Sequence, residues 1–131
     1  MIGLDSNILV RYLAQDDPVQ SRKAAEIIER RLSEKNPAFI NIVAIVEAVW
    51  VLDRVYGFGA QEIAMVIERI LQIEVFAIEN EAEVFTAMTA VKAGKGSFAD
   101  VVIAALGLRA GCSHTLTFDQ KAARLPGFEL A

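Results

Sequence analysis

The stretch Ile2-Gly3-Leu4-Asp5-Ser6-Asn7 decides how the rest of the chain is interpreted. A short apolar run ends in an acid, and the polar residues after it begin a helical pattern over 6–14. A strand that passes directly into a helix is typical of a sheet whose strands run parallel. Ligands bind at the carboxyl ends of such strands, and Asp5 is predicted to lie there. An acid at this position is also a good helix N-cap, so Asp5 alone does not establish a site.

The same alternation continues along the chain and predicts the fold. Pro18 begins the second helix, and Pro126-Gly127 turns the chain into its last strand. The predicted class is α/β, a three-layer sandwich with a mostly parallel five-stranded sheet flanked by helices, formed by residues 1–131 as one domain. Strands are expected at 2–5, 38–41, 75–78, 115–117 and 128–130, and helices at 6–14, 19–34, 43–55, 60–72, 80–93, 97–110 and 119–124.

Composition excludes several classes of function. Although 54% of the residues are hydrophobic, no apolar run approaches the roughly 18 residues of a membrane span, and we expect a cytoplasmic protein. A single cysteine, Cys112, and a single histidine, His114, leave no disulfide, cysteine zinc site or histidine triad. The net charge of −4 argues against generic nucleic-acid binding, yet it is compatible with carboxylates gathered around divalent cations.

Two further acids, in the second half of the chain, each lie at the start of a predicted helix. Asp119 follows the apolar run Thr115–Phe118, and Asp100 lies three residues after Ser97, the spacing of a capping box. Capping is a sufficient explanation for each of them taken singly. The helix that begins at Ser97 is apolar on all sides, which predicts a buried helix and a rather dry position for Asp100.

Glu47 is the acid that capping explains least well. It is the only charged residue of the stretch 42–52, and its helical neighbours are apolar. A carboxylate buried there without a partner would cost several kcal/mol or become protonated. The alternatives are that Glu47 is partly exposed or that it pairs with an arginine such as Arg54.

Taken together, the four acids predict a metal site. Asp5, Glu47, Asp100 and Asp119 are all expected on the carboxyl edge of one sheet. Carboxylates gathered in a low dielectric repel one another, and a hard divalent cation offsets that repulsion. Mg²⁺ is bound by one or two carboxylates together with water and substrate phosphates, and Mn²⁺ is nearly as suitable.

The order of these motifs resembles the PIN-domain family, specifically the VapC-type toxins of toxin–antitoxin pairs. The resemblance covers essentially the whole chain. It is carried by the opening 1–7, by 41–50 with Glu47, by Ser97–Asp100 with 103–105, by Thr117-Phe118-Asp119 and by the ending 125–128. Ser6 stands where threonine is commoner in the family, and Asn41 stands where a small hydroxyl residue is frequent.

The resemblance implies a metal-dependent endoribonuclease, the toxin of a type II VapBC pair, with an antitoxin partner and frequent dimerisation. Asp5, Glu47, Asp100 and Asp119 are then the metal ligands and catalytic residues. Ser6, Asn7 and Thr117 are predicted to orient the carboxylates. For Asn7 and Thr117 the alternative is a plain capping or turn role. Candidates for holding the RNA are Arg11, Lys92 and Lys95, each of which also fits an ordinary solvated surface charge.

Two other functions compete with this prediction. A phosphoacceptor receiver domain has a similar sheet, but it requires an acidic pair after the first strand, where this chain has only Asp5. A catalytically inactive PIN-like module that only binds RNA or protein is the nearer alternative, although the intact acids argue against it. A flap-type nuclease is disfavoured because the chain is too short for helical clamp regions.

Overall fold

The computed structural model describes residues 1–131 and alternates strands with helices along the chain. The expected elements are found, with ends that differ by a few residues at most in the strands. The strands are β1 (Ile2–Gly3), β2 (Ala38–Ile40), β3 (Phe76–Ile78), β4 (Thr115–Thr117) and β5 (Phe128–Leu130). The helices are α1 (Ser6–Ala14), α2 (Pro18–Glu26), α3 (Ile42–Arg54), α4 (Ala60–Gln72), α5 (Glu81–Lys92) and α6 (Phe98–Arg109).

Two predicted helices differ from the observed elements. The helix expected at 19–34 is formed by α2, which is followed directly by a π-helical turn, Ile27–Arg31. This turn is closed by a hydrogen bond from Leu32 N–H to the carbonyl of Ile27. The helix expected at 119–124 is only a short 3-10 helix, Ala122–Arg124. Pro126 follows two residues later, which leaves no room for an α-helical turn to propagate.

All five strands are parallel, which confirms the α/β class, but they form two hydrogen-bonded ladders rather than one. The first ladder has the order β1-β2-β3, and the second pairs β4 with β5. The single five-stranded ladder of the prediction is therefore not formed. On the β2 side of β1, the N–H groups of Ile2 and Leu4 donate to the carbonyls of Pro37 and Phe39.

The core lies between the three-stranded ladder and the helices that pack on it. Its fully buried side chains include Leu9 of α1, Ile40 of β2, Ile45 and Leu52 of α3 and Ile67 of α4. Aliphatic residues at a spacing of three or four along each helix produce this arrangement, because they share one face.

One expectation about burial was wrong. Helix α6 is not covered on all sides, since Ile103 and Leu108 are 51% and 52% exposed. On α3, Trp50 is 56% exposed as well, so apolar surface is left uncovered on both helices.

None of the helices combines the length and the apolar character that a membrane crossing requires.

Truncation of Leu52 tests the core. Leu52→Ala removes a side chain that is fully buried in α3, so we expect the free energy of unfolding to fall by about 2–5 kcal/mol. Val55→Ala is the matched control, because Val55 follows the same helix and is 68% exposed. Urea denaturation followed by circular dichroism measures both variants, and equal losses would contradict the assigned core.

Candidate functional site

Asp5 lies at the carboxyl edge of β1 and caps α1. Its Oδ1 atom accepts hydrogen bonds from the backbone N–H groups of Asn7 at 2.9 Å and Ile8 at 3.4 Å. Its Oδ2 atom accepts no hydrogen bond from the protein. The capping role suggested by the sequence is therefore real, and it still leaves one carboxylate oxygen free for a ligand.

Glu47 lies in the second turn of α3 and is exposed rather than buried. The Ser6 hydroxyl, which is buried, donates a hydrogen bond to Glu47 Oε1. Of the alternatives weighed for Glu47, the exposed one is correct, and Arg54 is not its partner. Ser6 thus links the start of α1 to α3 through the Glu47 carboxylate, and its role in supporting a metal site stays a prediction.

Asp5 and Glu47 line one open pocket at this edge, with a volume of about 360 Å³. Ser6 and Asn41 lie in the same wall, and the Asn41 side chain caps α3 by accepting from the N–H of Ala44 at 2.7 Å. Helix N-termini carry a partial positive charge, and those of α1 and α3 both begin here. The pocket therefore combines free carboxylate oxygens with two helix starts.

Sequence reasoning missed Glu79, which directly follows β3. Its Oε1 atom accepts a hydrogen bond of 2.9 Å from Ile42 N–H, the first residue of α3. Because Ile40 of β2 pairs with Ile78 of β3, Glu79 follows its strand at the same level as Asn41. The signal was the one used for Asp5, an acid immediately after an apolar run, but it was not applied to the third strand.

Asp100 lies in the first turn of α6 and is half-buried. Ser97 caps the helix, since its hydroxyl accepts from Asp100 N–H at 3.2 Å, whereas the Asp100 carboxylate forms no hydrogen bond in return. Only one half of the predicted capping box is formed. Ala99, its neighbour, lines an apolar groove of about 380 Å³ together with Glu47.

Asp119 lies beyond the end of β4 in the second ladder. Its Oδ1 atom accepts from the N–H groups of Lys121 at 2.8 Å and Ala122 at 3.3 Å. Thr117 Oγ1 accepts from Asp119 N–H at 3.0 Å, so Thr117 contacts the residue that it was predicted to support. The side chain of Asn7, in contrast, forms no hydrogen bond.

The structure brings Asp5 and Glu47 together but does not assemble the whole predicted cluster. No three His, Cys, Asp or Glu side chains lie close enough to hold a metal ion. Asp119 follows a strand that is not bonded to β1, so no backbone pairing sets its distance from Asp5. The assignment of Asp100 and Asp119 as ligands stays a prediction. The oxygen donors of Asp5 and Glu47 suit Mg²⁺, which needs few protein ligands.

Arg11 is engaged in a network of side chains instead of lying free. Its guanidinium donates to Asp16 at 3.0 and 3.2 Å, to Gln20 at 2.7 Å and to the Tyr56 hydroxyl at 3.0 Å. Tyr56 in turn donates to Asp16 at 2.7 Å. The hydrogen bond from Tyr56, followed by that from Arg11, lowers the pKa of Asp16, and the same bond raises the pKa of Tyr56.

This network gives Arg11 a structural role, because it connects the turn between α1 and α2 to the end of α3. Its proposed role in binding RNA is untested.

Lys92 and Lys95 are exposed and form no ion pair, which agrees with either of their predicted roles. His114, just before β4, has its Nε2 atom 3.3 Å from Oε2 of Glu129 in β5.

The class of protein follows from a match to a known family. The chain matches the PIN domain over residues 2–127 and belongs to the PIN domain family. PIN domains are generally nucleases, and they typically bind divalent metals. Neither the curated proteins nor the solved structures contain a match to the chain.

Removal of the Tyr56 hydroxyl tests the network around Arg11. In Tyr56→Phe we expect the pKa of Asp16 to rise towards its ordinary value, because the hydrogen bond that lowers it most is lost. A lowered carboxyl pKa stabilises the fold above the unfolded-state pKa, and that contribution disappears as the pH falls through the folded value. The variant should therefore lose less stability on acidification. NMR titration of the Asp16 carboxyl measures the shift.

Tyr12→Phe is the control for this experiment. Tyr12 contacts Arg69 through its ring, and its hydroxyl forms no hydrogen bond, so the pKa of Asp16 should not change. An unchanged Asp16 pKa in Tyr56→Phe would show that the network does not form in solution.

Proposed function

We propose that this PIN domain is a metal-dependent endoribonuclease that hydrolyses RNA phosphodiesters, and that residues 1–131 form it as one domain. The observation that carries the proposal is the pocket at the carboxyl edge of β1. There, Asp5 and Glu47 each have one oxygen tied by a protein hydrogen bond and the other oxygen free. Membership of the family supports a nuclease in general, and the oxygen donors support Mg²⁺ or Mn²⁺.

In this proposal the chain's own residues hold and orient the metal. Asp5 and Glu47 supply direct or water-mediated ligands, and Asp100 and Asp119 complete the site. Ser6 and Thr117 keep two of the carboxylate-bearing segments in place through the hydrogen bonds described above. A divalent ion bound there would lower the pKa of a water ligand and so supply the nucleophile for phosphodiester hydrolysis.

The proposal includes the biological setting that the resemblance implies. The protein would act in the cytoplasm as the toxin of a VapBC pair and would be inhibited by a cognate antitoxin. The pocket is open to solvent, which leaves the carboxylates accessible to a basic side chain of such a partner. Exposed apolar side chains on α4 and α5, such as Met65 and Phe85, offer further contact area.

We also propose that the protein is a homodimer. The groove between α3 and α6 is almost wholly apolar, with Glu47 as its one charged lining residue. A symmetric dimer uses the same patch twice, so an uncovered apolar surface of this kind is a suitable interface. The groove is lined by Ile42, Val43, Val46, Glu47, Trp50, Ala99, Val102, Ile103 and Leu106.

Cleavage of RNA by carboxylate variants tests the nuclease. Asp5→Asn and Glu47→Gln should each lower the cleavage rate by about a hundredfold or more, because each removes an anionic ligand. Cleavage should also require Mg²⁺ or Mn²⁺ and stop in EDTA. Fluorescent RNA strands resolved on denaturing gels measure the rate. Isothermal titration calorimetry with Mn²⁺ measures metal binding independently of activity.

Asp53→Asn is the matched control, since Asp53 is an exposed acid near the end of α3, away from the pocket. Its rate should equal that of the unaltered chain. If the unaltered protein binds RNA but does not cut it with either metal, the alternative of a catalytically inactive PIN-like binding module is correct.

A charge placed in the groove tests the homodimer. Ile103→Glu puts a carboxylate among apolar side chains, so we expect the dimer to dissociate. Val55→Glu is the control, because Val55 is exposed but lies outside the groove. Sedimentation velocity measures the mass of each protein. A monomeric unaltered chain would overturn the dimer proposal.

A further inference from the structure

A second cleft lies on α2 and the π-helical turn that follows it, and it differs in character from the site described above. Lys23, Arg30 and Arg31 line a cleft of about 570 Å³ together with Glu26 and Ile27. None of its residues lines the pocket of Asp5 and Glu47.

The basic side chains of this cleft are without acidic partners. No ion pair of the structure includes Lys23, Arg30 or Arg31, although Glu26 shares the cleft with them. The surrounding segment 22–35 contains five basic residues and three acids, whereas the whole chain has a net charge of −4. The cleft is therefore a locally positive surface on an acidic protein, and its charges are free to bind an external anion.

The fold holds these charges outward. Ala24, Ile28 and Leu32 lie at intervals of four residues and are buried in the protein interior, so they anchor one face of the segment. The π-helical turn, closed by the hydrogen bond of 3.0 Å from Leu32 N–H to the Ile27 carbonyl, lies within the same segment. Arg30 and Arg31 lie on this wider turn and are exposed. Lys23 lies in α2, before the turn, and is exposed as well.

We infer that this cleft binds the phosphate groups of the RNA strand, apart from the carboxylate pocket. The planar guanidinium groups of Arg30 and Arg31 can form bidentate hydrogen bonds with phosphate oxygens, and the ammonium group of Lys23 adds a further positive charge. An acidic protein partner is the less suitable occupant, because protein interfaces need an apolar centre and Ile27 is the cleft's only hydrophobic lining residue. The inference rests on the proposed ribonuclease function for the identity of the nucleic acid.

The salt dependence of RNA binding tests this inference. All arms carry Asp5→Asn so that the probe, a fluorescein-labelled poly(U) oligonucleotide, stays intact in Mg²⁺. Arg30→Gln/Arg31→Gln should weaken binding roughly tenfold at low salt, because two phosphate contacts are lost. The slope of log K against log salt should become shallower by about 1.4, since each contact to a single strand contributes about 0.7.

Two controls separate the cleft from net charge and from folding. Arg54→Gln/Arg69→Gln removes the same charge from exposed arginines outside the segment 22–35 and outside the cleft, and its slope should not change. Arg30→Lys/Arg31→Lys keeps the charges and should keep most of the slope. Equal slopes for the cleft variant and the Arg54/Arg69 control would overturn the inference, as would binding of poly-L-glutamate through Arg30 and Arg31 without binding of poly(U).

The failure of the inference and that of the nuclease are distinguishable. If the chain with Asp5 intact cleaves RNA, and the cleft variants bind poly(U) like the control, only the phosphate cleft is wrong. If no RNA is cleaved but the cleft variants still lose salt-dependent binding, the cleft is correct and the ribonuclease proposal is not.

Discussion

The parallel pairing of β1, β2 and β3 is the constraint on which the rest of the site depends. Ile2 pairs with Ala38 and Ala38 with Phe76, so the three strands end at nearly the same level. Asp5, Asn41 and Glu79 follow these strand ends and bond to the starts of α1 and α3. A shift in register would move these groups apart and would separate Asp5 from Glu47.

Polar side chains at this edge serve the fold and the site at the same time. Asp5, Asn41 and Glu79 satisfy backbone N–H groups at helix starts, which would otherwise be unpaired. Ser6 is buried and uses its hydroxyl to hold Glu47 on the neighbouring helix. Each carboxylate of the pocket therefore has one oxygen committed to structure and one available to a ligand, which lets a metal bind without dismantling a helix cap.

The surface of the protein is divided into regions of different chemistry. The groove between α3 and α6 is apolar apart from Glu47, the pocket beside it is acidic, and the cleft on α2 is basic. Glu47 borders both the groove and the acidic pocket, so a partner seated in the groove would lie next to the carboxylates.

The sequence by itself determined the parallel α/β class, most helix and strand ends and the acids that follow the first and fourth strands. It did so because alternating apolar runs, capping residues and acids after strands are local signals. Only the tertiary structure decided that Glu47 is exposed and held by Ser6, that Glu79 caps α3, and that Arg11 is tied to Asp16 and Tyr56. It also split the strands into two ladders and left Ile103 uncovered. These features depend on contacts between residues far apart in the chain, and hydrophobic periodicity carries no information about which side chains will meet.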